Sequence, residues 1–239
     1  MLDTEITPLV VPAVLWILIV LSIVTWALLI IKLVQFGRAR ALDKRFMKNF
    51  WQADSLEQGE SVADGNNGPM ADIAKAGFAV ITGRDIAPGN RDLAQQINKS
   101  DRLERVLGQQ IERERRALEG GLAVLASFGS TAPFIGLFGT VWGIMGALVN
   151  IGESGSSGLE AVAGPIGHAL IATGMGIAVA VPAVLIYNFL VRRLKTAAHH
   201  MNDFAHDFFS LSQQSGFQTE GAHLPSGRSG LKPNAKVGA

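Results

Sequence analysis

No cysteine occurs anywhere in the chain, so a disulfide framework, a thiol nucleophile and a cysteine-ligated metal are all excluded. Charge is scarce: Asp, Glu, Lys and Arg make up 17% of the 239 residues, against 48% hydrophobic residues and a mean hydropathy of +0.27. That balance suits a small membrane protein better than a soluble domain. Catalytic signatures are also missing. There is no G-x-S-x-G elbow, and GLFGTVWG lacks the Lys-Ser/Thr that completes a phosphate loop. Only a scattered pair such as Ser130 and His168 remains for hydrolase chemistry.

Lysine and arginine are absent from residues 1–11 and from NIGESGSSGLE at 150–160. They gather instead at Arg38, Arg40, Lys44, Arg45 and Lys48, at Arg113, Arg115 and Arg116, and at Arg192, Arg193 and Lys195. Between these clusters lie three runs long enough to span a bilayer, which takes roughly 20 residues: 12–36, 122–149 and 162–191. The positive-inside rule places the N-terminus outside, and residues 37–121 and the C-terminus in the cytoplasm. The acidic start, MLDTEITP, and the length of the first run predict a retained helix rather than a cleaved signal.

The layout expected is an outer N-terminus over 1–11, a first span over 12–36, a cytoplasmic helical region over 37–121 and a second span over 122–149. An outer loop over 150–161, a third span over 162–191, an amphipathic cytoplasmic helix over 192–212 and a disordered polar tail over 213–239 complete it. Span one, rich in Leu, Ile and Val with Trp16 and Trp26, reads as a lipid-facing helix with Lys32 snorkelling to the inner interface. ADGNNGP at 63–69 and APGN at 87–90 divide the cytoplasmic region into helices near 41–60, 70–83 and 91–119. In the last, Leu103, Leu107, Ile111 and Leu118 fall at helical spacing beside a charged face, and Gly120-Gly121 is the flexible point before span two. His199, Asp203 and His206 share a face, but Met201, Phe204 and Phe208 on the opposite stripe make an amphipathic helix a better reading than a metal site.

Gly136, Gly139, Gly143 and Gly146 are spaced 3, 4 and 3 apart, and span three carries Gly164, Gly167, Gly174 and Gly176. Stripes of small residues let helices approach closely in lipid. They serve packing inside one subunit or, in a chain with only three spans, an oligomer around a shared interior, the reading preferred here. Spans two and three hold no Asp, Glu, Lys or Arg, and His168 is their only ionisable side chain besides the Tyr187 phenol. Proton pathways need a titratable group at depth, so a carboxylate would have to come from another polypeptide. The chain itself offers hydroxyls: Thr140 and Thr173 sit ~13 Å and ~16 Å from the outer ends of their helices, either as a ring of hydroxyls or each bonded to its own helix. Pro182 is expected to kink span three.

SxxPFIGLFGTVWGIM at 130–145 and AVAGPIGHALIATGMGIAVAVPAVLIYN at 161–188 resemble the two signature helices of the MotA/TolQ/ExbB proton-channel family, most closely its ExbB branch. The resemblance implies an all-α membrane protein of three transmembrane helices, with helices two and three extended into a cytoplasmic helical region, assembled as a homo-oligomeric ring of five. It also implies a bacterial inner-membrane location, an ExbD-like single-span partner supplying an Asp, a TonB-like protein, lipid, no cofactor and no nucleic acid. On this pattern Thr140 and Thr173 match pore-facing threonines, and helix one faces lipid. One departure stands out: where family members commonly carry a glutamate, this chain has His168, a pore-adjacent proton acceptor or the donor of an interhelical hydrogen bond. A TolQ-like subunit of the Tol-Pal envelope system and, from a different class, a small membrane permease are the alternatives. The permease lacks charged binding residues at depth and an inverted repeat.

Overall fold

The computed structural model describes residues 3–84, 98–154 and 159–217, and every regular element among them is a helix. They are α1 (Asp3–Phe50), α2 (Leu56–Asp64), α3 (Pro69–Ile81), α4 (Lys99–Glu119), α5 (Leu122–Ser154) and α6 (Leu159–Gln214). Three of them, α1, α5 and α6, contain stretches long and apolar enough to cross a membrane. The APGN segment, the outer-loop residues 155–158 and the tail beyond 217 lie outside the described residues.

Local signals explain the breaks. The helix expected near 41–60 is two helices, because residues 41–50 continue the first span within α1 and a new helix starts after Ser55. The Ser55 hydroxyl accepts from the Gln58 amide at 3.2 Å, and the Gln58 side chain accepts from the Asp54 amide at 2.8 Å. The first is the N-cap bond of a Ser-x-x-Gln helix start, while the Gln58 side chain reaches one residue past the cap, to Asp54. Gly68, with φ of 127°, turns the chain into Pro69, whose fixed φ suits a first helical position. The Asp43 carboxylate on α1 then accepts from the Met70 amide at 3.0 Å, satisfying one of the free donors at the start of α3.

By contact density the chain divides into two units, residues 1–36 with 118–195, and residues 37–117 with 196–239. The first holds the opening part of α1, all of α5 and the first part of α6. Its core is small-sided: Val14, Leu18, Ala132, Ala172, Val179 and Ala180. Trp16, Ile23, Trp26 and Ile30 on the other side of α1 are exposed, as a face toward lipid requires. The second unit packs α2, α3 and the ends of α1 and α6 around phenylalanine. Phe46 and Phe50 meet Phe204 at ring separations of 5.6 and 5.4 Å, and Phe78 meets Phe208 edge-on at 5.0 Å. His199, Asp203 and His206 are exposed on α6 while Met201, Phe204 and Phe208 are buried. Among the described residues no group of three His, Cys, Asp or Glu is arranged to hold a metal.

Candidate functional site

Helices α5 and α6 run antiparallel, with contacts stepping from Gly129 against Val184, through Gly136 against Ala172 and Gly176, to Gly143 against Ala169. Their closeness depends on missing side chains. A Cβ at Gly136 would lie 2.5 Å from the Ala172 carbonyl oxygen and 3.1 Å from the Gly176 Cα, and one at Gly176 would lie 2.6 Å from the Ala132 oxygen. Gly139 and Gly143 lie against Ala172 and Ala169 and also admit α1, through Val14 and Val11. Gly146 is buried as well. This stripe is therefore filled by the subunit's own helices. Gly164, Gly167 and Gly174 differ, having no atom within 4 Å of where a Cβ would stand. Two stripes of like composition thus face different surroundings, one inside the subunit and one open.

That close approach brings two hydroxyls together. Thr140 Oγ1 donates to the Leu137 carbonyl at 2.7 Å and lies 3.1 Å from Thr173 Oγ1. A hydroxyl has one hydrogen, so with Thr140 committed to Leu137 the Thr173 hydroxyl is the donor across the pair. Thr140 is 5% exposed, and Thr173 is half-buried. With its hydrogen given to Thr140, Thr173 Oγ1 keeps its acceptor capacity, on a helix that carries no Asp, Glu, Lys or Arg at that depth. Thr140 bonds its own helix, as one of the two sequence readings has it, and also meets Thr173 of the same chain, a contact distinct from a ring of hydroxyls around a shared axis.

His168 stands apart. Its side chain is exposed, and Nδ1 lies 2.9 Å from the Gly164 carbonyl oxygen of the same helix. A carbonyl only accepts, so Nδ1 carries a proton and is the donor of this bond. The bond is within α6 rather than between helices. Ser130 bonds the Ser127 carbonyl at 3.0 Å and has no contact with His168. Helix α6 continues through Pro182, which has no N–H to give the Ala178 carbonyl.

Lys32 is where the sequence reading fails. It is 6% exposed and does not snorkel: Nζ donates to the Leu118 carbonyl at 2.9 Å and to Gln35 Oε1 at 2.7 Å. Val11 and Val14, which close over Gly143 and Gly139, were equally hidden within a uniformly apolar run. A charged residue inside such a run was the one available signal.

Comparison with known proteins places this geometry in context. The model of the MotA/TolQ/ExbB proton channel family matches residues 66–203. Biopolymer transport protein ExbB of Neisseria meningitidis serogroup A is 40% identical over 195 residues, covering 80% of this chain and 86% of that protein. Its namesake from Xanthomonas campestris is 35% identical over 197 residues, 78% of each chain. Tol-Pal system protein TolQ of Haemophilus influenzae is 32% identical over 212 residues, 87% of this chain and 91% of that protein.

Proposed function

The chain belongs to the MotA/TolQ/ExbB proton channel family, and from that membership we propose that it is the scaffold subunit of an ExbB-ExbD-TonB complex of the bacterial inner membrane, using the proton motive force to energise TonB-dependent uptake across the outer membrane. The higher identity to ExbB proteins than to TolQ favours this branch over the Tol-Pal system. The chain acts as a non-enzymatic ring, with five copies enclosing an ExbD-like single-span partner and a TonB-like protein receiving the work. Its N-terminus is periplasmic and its C-terminus cytoplasmic, as the distribution of Lys and Arg requires.

The observation that carries the reading is the Thr140–Thr173 hydroxyl pair, 3.1 Å apart on two helices without a carboxylate or cation at that depth. A proton carrier must therefore be brought in. The ExbD-like partner's aspartate is that carrier. Protonated, its carboxyl O–H donates to the free lone pairs of Thr173. Ionised, it turns to donors elsewhere. A hydroxyl accepts or donates without changing charge, so the pair guides the carboxyl between the two states while no fixed charge traps the proton. His168 is a pore-adjacent acceptor nearer the outer end of the same helix.

Thr140→Val with Thr173→Val preserves shape while removing both hydroxyls. Expressed in cells lacking either the ExbB or the TolQ system, the wild-type protein is expected to restore TonB-dependent uptake, and the double variant to lose at least about tenfold of it, about 1.4 kcal/mol of coupling. Native mass spectrometry should show an unchanged five-copy ring with partner chains. Full uptake by the double variant would refute the role of the hydroxyls, and rescue of only the TolQ-deficient cells would move the chain to the other branch.

A further inference from the structure

Lys32 is the only buried charged side chain among the described residues. An ammonium at the inner end of an apolar helix ordinarily reaches out to water. Here one of its two acceptors, the Leu118 carbonyl, belongs to the last turn of α4, where four carbonyls have no acceptor role inside their own helix and carry the partial negative charge of the helix end. Three residues on, Gly121 adopts φ of +83°, and a Cβ there would lie 3.3 Å from Leu28 Cδ2 and 3.8 Å from Lys32 Cε. Leu118, Leu122 and Leu125 are buried around this link. The first turn of α5 is otherwise loosely closed, with the Leu125 amide 3.4 Å from the Gly121 carbonyl.

We propose that Lys32 is a positioning residue whose ammonium caps α4 and latches the Gly120-Gly121 link onto α1, fixing where α5 begins. Consecutive glycines leave a link free to adopt many conformations. A slip of one residue would turn α5 by about 100° and carry Thr140 away from Thr173. The latch itself follows from the contacts of Lys32, and its consequence for proton coupling rests on the function proposed above.

The test is hydrogen exchange of the full-length protein purified with its co-expressed single-span partner, comparing wild type, Lys32→Met and Lys32→Met with Gly120→Ala. Lys32→Met is expected to raise exchange of the amides at 118–125 by roughly 10-fold, leave the rest of α5 protected and lower uptake. Gly120→Ala, which narrows the link's freedom without requiring a positive φ, is expected to recover part of both. Unchanged exchange at 118–125 overturns the latch whatever uptake does. Raised exchange with full uptake overturns its role in placing Thr140, while leaving the proton-channel reading intact. Should Lys32→Met fail to assemble, Gln35→Leu, which removes the second acceptor and keeps the ammonium, is expected to give a smaller rise over the same residues, and no rise there overturns the proposal equally.

Discussion

In the unit formed by residues 1–36 and 118–195 the helices meet through glycine and alanine, whereas in the unit formed by residues 37–117 and 196–217 they meet through phenylalanine. Gly136 and Gly176 bring two backbones so close that a Cβ on either would lie 3.1 Å from the other's Cα, while Phe46, Phe50, Phe78, Phe204 and Phe208 fill the other core with rings. The difference follows the surroundings. Lipid is as apolar as leucine, so large side chains gain nothing by leaving it, and association relies on close contact between backbones and on hydrogen bonds such as Thr140–Thr173. In water each buried ring removes a large apolar area from solvent. The small-sided unit has a further consequence, because only a backbone approach this close lets two short threonine side chains touch.

The largest effect is expected where that approach is blocked. Gly136→Val forces side-chain atoms into the Ala172 carbonyl and two Cα atoms, none of which can rotate aside, so it should exceed the usual overpacking cost of about 1–3 kcal/mol and deplete folded protein from detergent-solubilised membranes. Gly174→Ala, on the open stripe, should leave the subunit's own stability within about 0.5 kcal/mol. If both depleted folded protein alike, the contrast between the two stripes would be lost. Next in size is Phe208→Ala. Its ring is fully buried and touches Phe50, Phe78 and Phe204, and truncation should cost about 3–5 kcal/mol, read as an earlier thermal transition of the second unit while α5–α6 contacts persist.

Of these features, the sequence displayed some and hid others, for reasons that residues make plain. Runs of Leu, Ile and Val announce the spans because bilayer thickness sets their length. Ser55 and Gln58 carried the start of α2 in plain view, though a division made at ADGNNGP and APGN alone passed over it. Counting residues placed Thr140 and Thr173 at similar depth, yet their contact needed the antiparallel register of α5 and α6. Spacing could not separate the filled stripe at Gly136, Gly139 and Gly143 from the open one at Gly167 and Gly174, since both repeat alike and only the neighbours differ. Lys32 was misread because its partner lies 86 residues away, and the bond of His168 to Gly164, one turn back on the same helix, carried no signal in the spacing.

The smallest expected effect is electrostatic and confined to the second unit. Burial, with the neighbouring charges of Asp72 and Asp43, raises the Glu114 carboxyl above its ordinary 4.5. A raised carboxyl favours folding below the unfolded value and loses that contribution as pH rises through the folded value, so Glu114 opposes stability at neutral pH. Glu114→Gln should stabilise slightly at pH 7, with the advantage fading as pH falls toward 4.5. Glu112 runs the other way. Hydrogen bonds from Arg115 and Arg116 hold its carboxyl at about 2, so its small, solvent-screened contribution is present above the ordinary value and lost as pH falls toward 2. Thermal transitions measured from pH 7 down to pH 2 check both signs.

The central claim of the proposed function is that this chain supplies hydroxyls but no carboxylate within its second and third spans, so it passes protons only with a second chain. Proton flux into liposomes under an imposed potential tests it directly, comparing the protein alone, with an ExbD-like partner, and with that partner's membrane aspartate changed to asparagine. The account predicts flux in the second case alone, reduced by Thr140→Val with Thr173→Val. Comparable flux through the protein alone would contradict it.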